Sequence, residues 1–272
     1  MLPEDAIVLF IVYTSHEYLF IKQKGKEEKV SSWFSGLHEK IILDFVQDKR
    51  WMFITDGLKV TLEVTFLAVI LGLALGALVA IIRTAHDQTK DESRKGLGGF
   101  LLNLGNIICK IYLTVIRGTP TLVQLLIMFF IILVNAKSKV SVAVLTFGIN
   151  SGAYVAEIFR SGIMSVDRGQ MEAGRSLGLG FKDTMIQIIM PQAIKNCLPA
   201  LINEMITLLK ETSICGYIGL NELTRGGDII RGATFDALLP LFAVALIYLI
   251  MVMFFTWIMG IVERRLRQSD IR

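Results

Sequence analysis

Gly169-Gln170-Met171-Glu172-Ala173-Gly174-Arg175-Ser176-Leu177-Gly178-Leu179-Gly180 is a polar, glycine-punctuated stretch set between two long apolar ones. Asp167, Arg168, Glu172, Arg175, Lys182 and Asp183 lie in or beside it. Leaving that many charges in hydrocarbon would be costly, so the segment belongs outside the bilayer core. It is not loop-like throughout. Gln170 to Leu177 is rich in helix formers, and Gly178 and Gly180 follow as stop signals. The expectation is a short helix held between membrane spans, a rigid knob suited to docking.

The flanks explain why spans are expected. The chain has 272 residues, 53% of them hydrophobic and 19% charged, with a mean hydropathy of +0.59. A soluble domain of this length is ordinarily more polar. Val64 to Ile82 is free of charge and, as a helix, about 28 Å long, close to the hydrocarbon thickness. Val140–Ala156 and Ala237–Val262 are also uncharged. Thr121–Val134 is too short alone and is expected to extend back through Pro120 toward Ile111, with a kink at the proline. Ile194–Leu209 is interrupted by Asn203 and Glu204. The reading is an all-α integral membrane protein of about five transmembrane helices, with its spanning domain over residues 51–265.

Basic residues in short loops set the orientation. Arg83, Lys90, Arg94 and Lys95 follow the first span. Arg168, Arg175 and Lys182 flank the polar helix, and Arg264, Arg265, Arg267 and Arg272 close the chain. Five spans put all three clusters on one side, taken as the cytoplasm, with residues 266–272 as a cytoplasmic tail. The slightly basic balance is explained by these loops and does not suggest nucleic acid.

The polar stretch carries a resemblance. Glu172-Ala173-Gly174, then Gly178, Ile188, Met190 and Pro191, is similar to the EAA loop of membrane subunits of ATP-binding cassette (ABC) importers. Arg117-Gly118-Thr119-Pro120, Ala153 to Arg160, Pro191-Gln192-Ala193 and Lys210-Glu211-Thr212-Ser213 resemble the polar amino acid permease family, in family order and spacing. The resemblance covers roughly residues 55–265; one short motif alone would be weak evidence. Gly174 stands where the family usually has alanine and Met190 where it has leucine. The glycine is expected to loosen the helix by up to about 1 kcal/mol.

The resemblance implies a type I importer permease fold with a cytoplasmic coupling helix, in a multi-pass protein of a bacterial cell membrane. It implies a separate ATPase subunit, an extracytoplasmic solute-binding protein, and a second permease copy or a similar permease. The substrate would be a polar amino acid. Coupling to the ATPase would fall to Gly169, Gln170, Glu172, Ala173, Gly174, Arg175, Leu177 and Gly178.

Other marked residues have two readings each. Glu204 is mid-span, where a carboxylate faces the bundle interior or an aqueous path. With Asn203 and Lys210 it is a candidate for the substrate path; the alternative is a polar lock to a neighbouring helix through Asn203. Glu157 and Arg160 are spaced for an intrahelical ion pair or for contact with the ATPase-bound loop. Glu63 is expected to snorkel to the interface. Ala68, Gly72, Gly76 and Ala80 make a small-residue stripe for close helix packing.

No Gly-x-x-x-x-Gly-Lys-Ser/Thr and no His-Glu-x-x-His occurs, so ATP hydrolysis is expected on another subunit and no cofactor or metal is implied. Cys109, Cys197 and Cys215 lack metal-like spacing and read as small buried hydrophobes. An ion-coupled secondary carrier is the alternative function, though no internal repeat supports it.

Residues 1–50 read as an extension. Ala6–Val12 is too short to span. The charge run Lys22–Lys29 suits either a disordered tail or an assigned start that is too early, with Val30 as the alternative. Trp33–Phe53 shows helical apolar spacing suited to the membrane interface.

Overall fold

In a computed structural model, residues 36–88 and 97–270 are described. Ala6–Val12, the Lys22–Lys29 run, Val30 and the start of the interfacial segment at Trp33 lie outside them. Of the Trp33–Phe53 segment, the described part is helical from residue 36 and closes in a wide turn at Ile42–Val46. Left-handed Asp48 and Lys49 (φ 54° and 55°) then break it from the first long helix.

Helix α1 is Trp51–Gln88 and α2 is Leu97–Gly118. α3 is the short apolar Thr121–Ile132, α4 is Lys139–Met164, and α5 is Arg168–Ser176. α6 runs Phe181–Ile218, α7 is Leu223–Thr234 and α8 is Leu238–Asp270. Five of these, α1, α2, α4, α6 and α8, are long and apolar enough to cross a membrane.

The helix before Pro120 begins earlier than the sequence expectation: it is Leu97–Gly118, long and apolar enough by itself to cross a membrane, and α3 continues it after the break. Asn103, Asn106 and Lys110 disguised it. Asn103 Oδ1 lies 3.0 Å from His86 Nε2 on α1, and Asn106 is buried. The break falls where Pro120 predicts. Proline supplies no N–H to the carbonyl four residues back, which would orphan Ile116. The Gln124 amide donates to Ile116 O at 2.8 Å and to Thr119 O at 3.1 Å. Asn150 of α4 in turn donates to Gln124 Oε1 at 2.9 Å. The break is therefore tied to the bundle centre.

The bundle is organised on α1 and α4, which meet through reciprocal small residues. A Cβ on Gly72 would touch Ser151, and one on Gly76 would collide with Val155; Ala68 and Ala80 are buried beside them. From the other side, Gly148 and Gly152 receive Leu71 and Leu75. Without a hydrophobic drive between helices in lipid, such close backbone approach supplies the packing energy. Gly76→Leu is expected to cost roughly 1–3 kcal/mol or more by overpacking and to cut the yield of monodisperse protein. Leu78→Ala, on the 55%-exposed lipid side of the same helix, should leave that yield unchanged. Size-exclusion profiles of membrane extracts compare the two.

The stretch between Cys215 and Ala237 reads from the sequence as a loop on the outer side, yet α7 forms there despite Gly226, Gly227 and Gly232. Two of those glycines permit contact: Gly226 lies on the Phe53 carbonyl and Gly227 on Val244. Glu222 caps the helix, accepting from Thr224 N and Arg225 N, each at 2.7 Å, and from Tyr248 Oη at 3.3 Å. Burial pushes the Glu222 carboxyl up from its ordinary range, and those donors pull it back down. Glu222→Ala removes the cap and leaves buried donors unmatched. It should cost about 1–2 kcal/mol, read as a lower unfolding midpoint of the solubilised protein. An unchanged midpoint would contradict the capping role.

Candidate coupling helix and translocation path

α5 is built by local rules. Asp167 Oδ1 accepts from Gly169 N at 2.7 Å and caps its start. At its end Gly178 N donates to Arg175 O (3.0 Å) and Leu179 N to Gly174 O (3.2 Å). That double bond with Gly178 at φ 85° is a Schellman stop, the geometry for which glycine is favoured. Gly180 then caps the start of α6.

Gly174 is more than a weak helix former. It is buried, and a Cβ there would meet Thr184 Cγ2 at 2.5 Å and Ile188 Cδ1 at 3.2 Å. The helix is thus pressed by Gly174 onto the first turns of α6. The opposite side, with Gly169, Gln170, Glu172, Ala173, Arg175, Leu177 and Gly178, is exposed. Leu177 is 82% exposed, an apolar side chain held outward beside Glu172 and Arg175 on a rigid knob. A wide turn at Met185–Ile189 precedes Pro191, and the Gln192 amide donates to Ile188 O at 2.8 Å. Helical backbone runs on from there to Ile218, so α5 is packed onto one end of a span that crosses the bundle.

Gly174-Arg175-Ser176-Leu177-Gly178 fits the Gly-x-Ser-x-Gly spelling of a hydrolase nucleophile elbow, which the sequence was wrongly read as lacking. That elbow needs a strand running into a helix. Here the pentapeptide is the last turn of α5, and no strand occurs among the described residues. The spelling is fortuitous.

The three path candidates separate. Ser151 Oγ donates to Glu204 Oε1 at 2.8 Å, so half-buried Glu204 turns from α6 toward α4. The contact that the lock reading placed through Asn203 is made with Ser151 instead, and it leaves the path reading open to test. Asn203 and Lys210, seven residues apart and so on one helical face, are both exposed. Gly72 against Ser151 is what lets that hydroxyl reach Glu204. Glu63 is exposed on α1.

Glu157 is paired more widely than the i, i+3 spacing suggested. Arg160 Nε lies 3.2 Å from Oε2, while Arg83 of α1 and Arg117 of α2 reach Oε1 at 3.0 and 3.7 Å. Arg117 also lies over the Tyr154 ring, 5.7 Å from its centroid. Partners 74 and 40 residues away carry no sequence signal. The three cysteines are free and buried, and no cluster of His, Cys, Asp or Glu among the described residues could hold a metal.

The described residues form a helical bundle with five helices long and apolar enough to cross a membrane and a short, capped, exposed helix between two of them. Residues 102–268 match the model for the binding-protein-dependent transport system inner membrane component, and the chain belongs to that family. It is 36% identical to the arginine transport system permease protein ArtQ of Bacillus subtilis, over 80% of this chain and 94% of the relative. It is 36% identical to the glutamine transport system permease protein GlnP of Escherichia coli K12, over 78% and 92%. A solved structure described as an amino acid ABC transporter with histidines superposes with a TM-score of 0.71 at 38% identity, covering 81% of this chain and 97% of that one. The inward-facing MetNI methionine ABC transporter shares the fold, with a TM-score of 0.65 at 17% identity. The type I importer fold and a multi-pass inner-membrane location follow, and the secondary-carrier alternative is not favoured.

Proposed function

We propose that this chain is the permease subunit of an ATP-driven polar amino acid importer, and that α5 transmits the motion of a separate ATPase to the spans. The observation that carries the coupling role is the split character of α5: Gly174 fixes one side to α6, and Glu172, Arg175 and Leu177 present the other. A rigid, outward, mixed apolar and charged surface suits a groove on a partner, and its anchoring means that pushing it moves α6. ATP-driven closure would then rock the bundle between inward and outward states.

The remaining partners follow from the same reading. Two permease subunits enclose the path, as two copies or as this chain with a similar one. Two ATPase subunits sit on the side of the basic loops. A solute-binding protein delivers substrate on the other side. The relatives named for glutamine and arginine support a polar amino acid as substrate.

Glu172→Lys reverses charge on the exposed side of α5 without touching its caps. It should leave the protein in the membrane and weaken the ATPase complex about tenfold, the size expected for replacing a favourable interfacial charge by a like-charge clash. Co-purification of the neighbouring ATPase with the tagged permease measures this. Undiminished recovery together with normal uptake would refute the docking role.

A further inference from the structure

The Glu157 cluster has more positive charge than it can use. Arg83, Arg117 and Arg160 converge on this one carboxylate. A cavity of about 550 Å³ opens beside it, lined by Arg83, Lys110, Thr114, Arg117 and Glu157. Among the described residues, four cations therefore face one anion. Arg83 Nε is buried with no hydrogen-bond partner among the described residues. A buried guanidinium donor without an acceptor is costly, and unbalanced charge at this depth needs an anion.

The depth indicates which anion. Arg83 is the first charged residue after the uncharged Val64–Ile82 run of α1. That position, at the end of the apolar run next to the basic loops, implies the hydrocarbon boundary on the side taken as cytoplasmic, the level of lipid phosphates. On α2, exposed Ile107, Ile111 and Val115 adjoin the residues that line the cavity and offer a surface for acyl chains. Arginine and lysine together suit a phosphate oxygen set. We infer that the cavity between α1, α2 and α4 holds the phosphodiester headgroup of an anionic lipid of the cytoplasmic leaflet, bridging Lys110 and Arg117 to Arg83. The lipid would brace α2 against α1 and α4.

The site is independent of the coupling role, and its test needs no transport. The purified permease–ATPase complex is taken from nanodiscs of equal phosphatidylglycerol and phosphatidylcholine and examined by native mass spectrometry. Phosphatidylglycerol should be retained over phosphatidylcholine. Lys110→Gln and Arg117→Gln should each lower that retention about fivefold, the effect of one cation near a membrane surface. Lys110→Gln leaves all three Glu157 pairs intact, so it remains informative if Arg117→Gln assembles poorly. Equal retention of both lipids, or unchanged retention in Lys110→Gln, overturns the proposal. Displacement by inorganic phosphate would make this a free-anion site, and displacement by arginine or glutamine would make it part of the substrate path. Either result also overturns it.

Discussion

Replacing Gly178 by valine is expected to abolish ATP-driven uptake while the protein still reaches the membrane. Gly178 is at φ 85°, and no atom lies within 4 Å of where a Cβ would be. The obstacle is backbone strain, not space. A β-branched residue there costs roughly 1–3 kcal/mol. The chain can relieve this by giving up the bonds from Gly178 N to Arg175 O and from Leu179 N to Gly174 O. The last turn of α5 would then unwind and carry Arg175 and Leu177 out of register with the ATPase groove. Docking should fall at least tenfold, the effect of about 1.4 kcal/mol, and uptake with it. Gly178→Asn is the control, because asparagine tolerates the left-handed region, and it should retain most activity. If valine and asparagine behave alike and both transport normally, the stop is not needed for coupling.

Glu204→Gln is expected to lower uptake by about tenfold or more for lysine and arginine, and less for glutamine. A hydrogen bond to a charged group contributes roughly 1.5–3 kcal/mol. The amide keeps the size of the side chain and can still accept from Ser151, so it removes charge while sparing the lock. Ser151→Ala does the reverse, removing the 2.8 Å bond and sparing the carboxylate. If Glu204 lines the path, Glu204→Gln should be far more damaging than Ser151→Ala in reconstituted vesicles. If Glu204 only ties α6 to α4, Ser151→Ala should match it and every substrate should slow equally.

The contrast between these two sites shows what was legible in the sequence. α5 was readable because its signals are local: a capping aspartate, helix formers and a stop glycine lie within twelve residues. Gly174, read as a weak point, turned out to be a contact, because Thr184 and Ile188 approach it only after the chain has turned back. The contacts of α7 are hidden in the same way, since the partners of Gly226 and Gly227 are Phe53 and Val244. In α2, Asn103 bonds His86 of α1 and Asn106 is buried, so polar residues with partners distant in sequence break the apolar run that would have marked its start. Arg83 and Arg117 were visible as charges, but their meeting at Glu157 depends on three helices coming together.

On the proposed function, the outward side of α5 is where the ATPase binds. Cross-linking from residue 177 tests it most directly. Leu177 is 82% exposed while Cys109, Cys197 and Cys215 are buried, so Leu177→Cys supplies the accessible thiol without removing the native ones. In the assembled complex a short thiol-to-amine cross-linker should join this cysteine to the ATPase, and ATPase binding should shield it from maleimide. A thiol that reacts with maleimide equally fast with and without the bound ATPase, and forms no cross-link to it, would contradict the account.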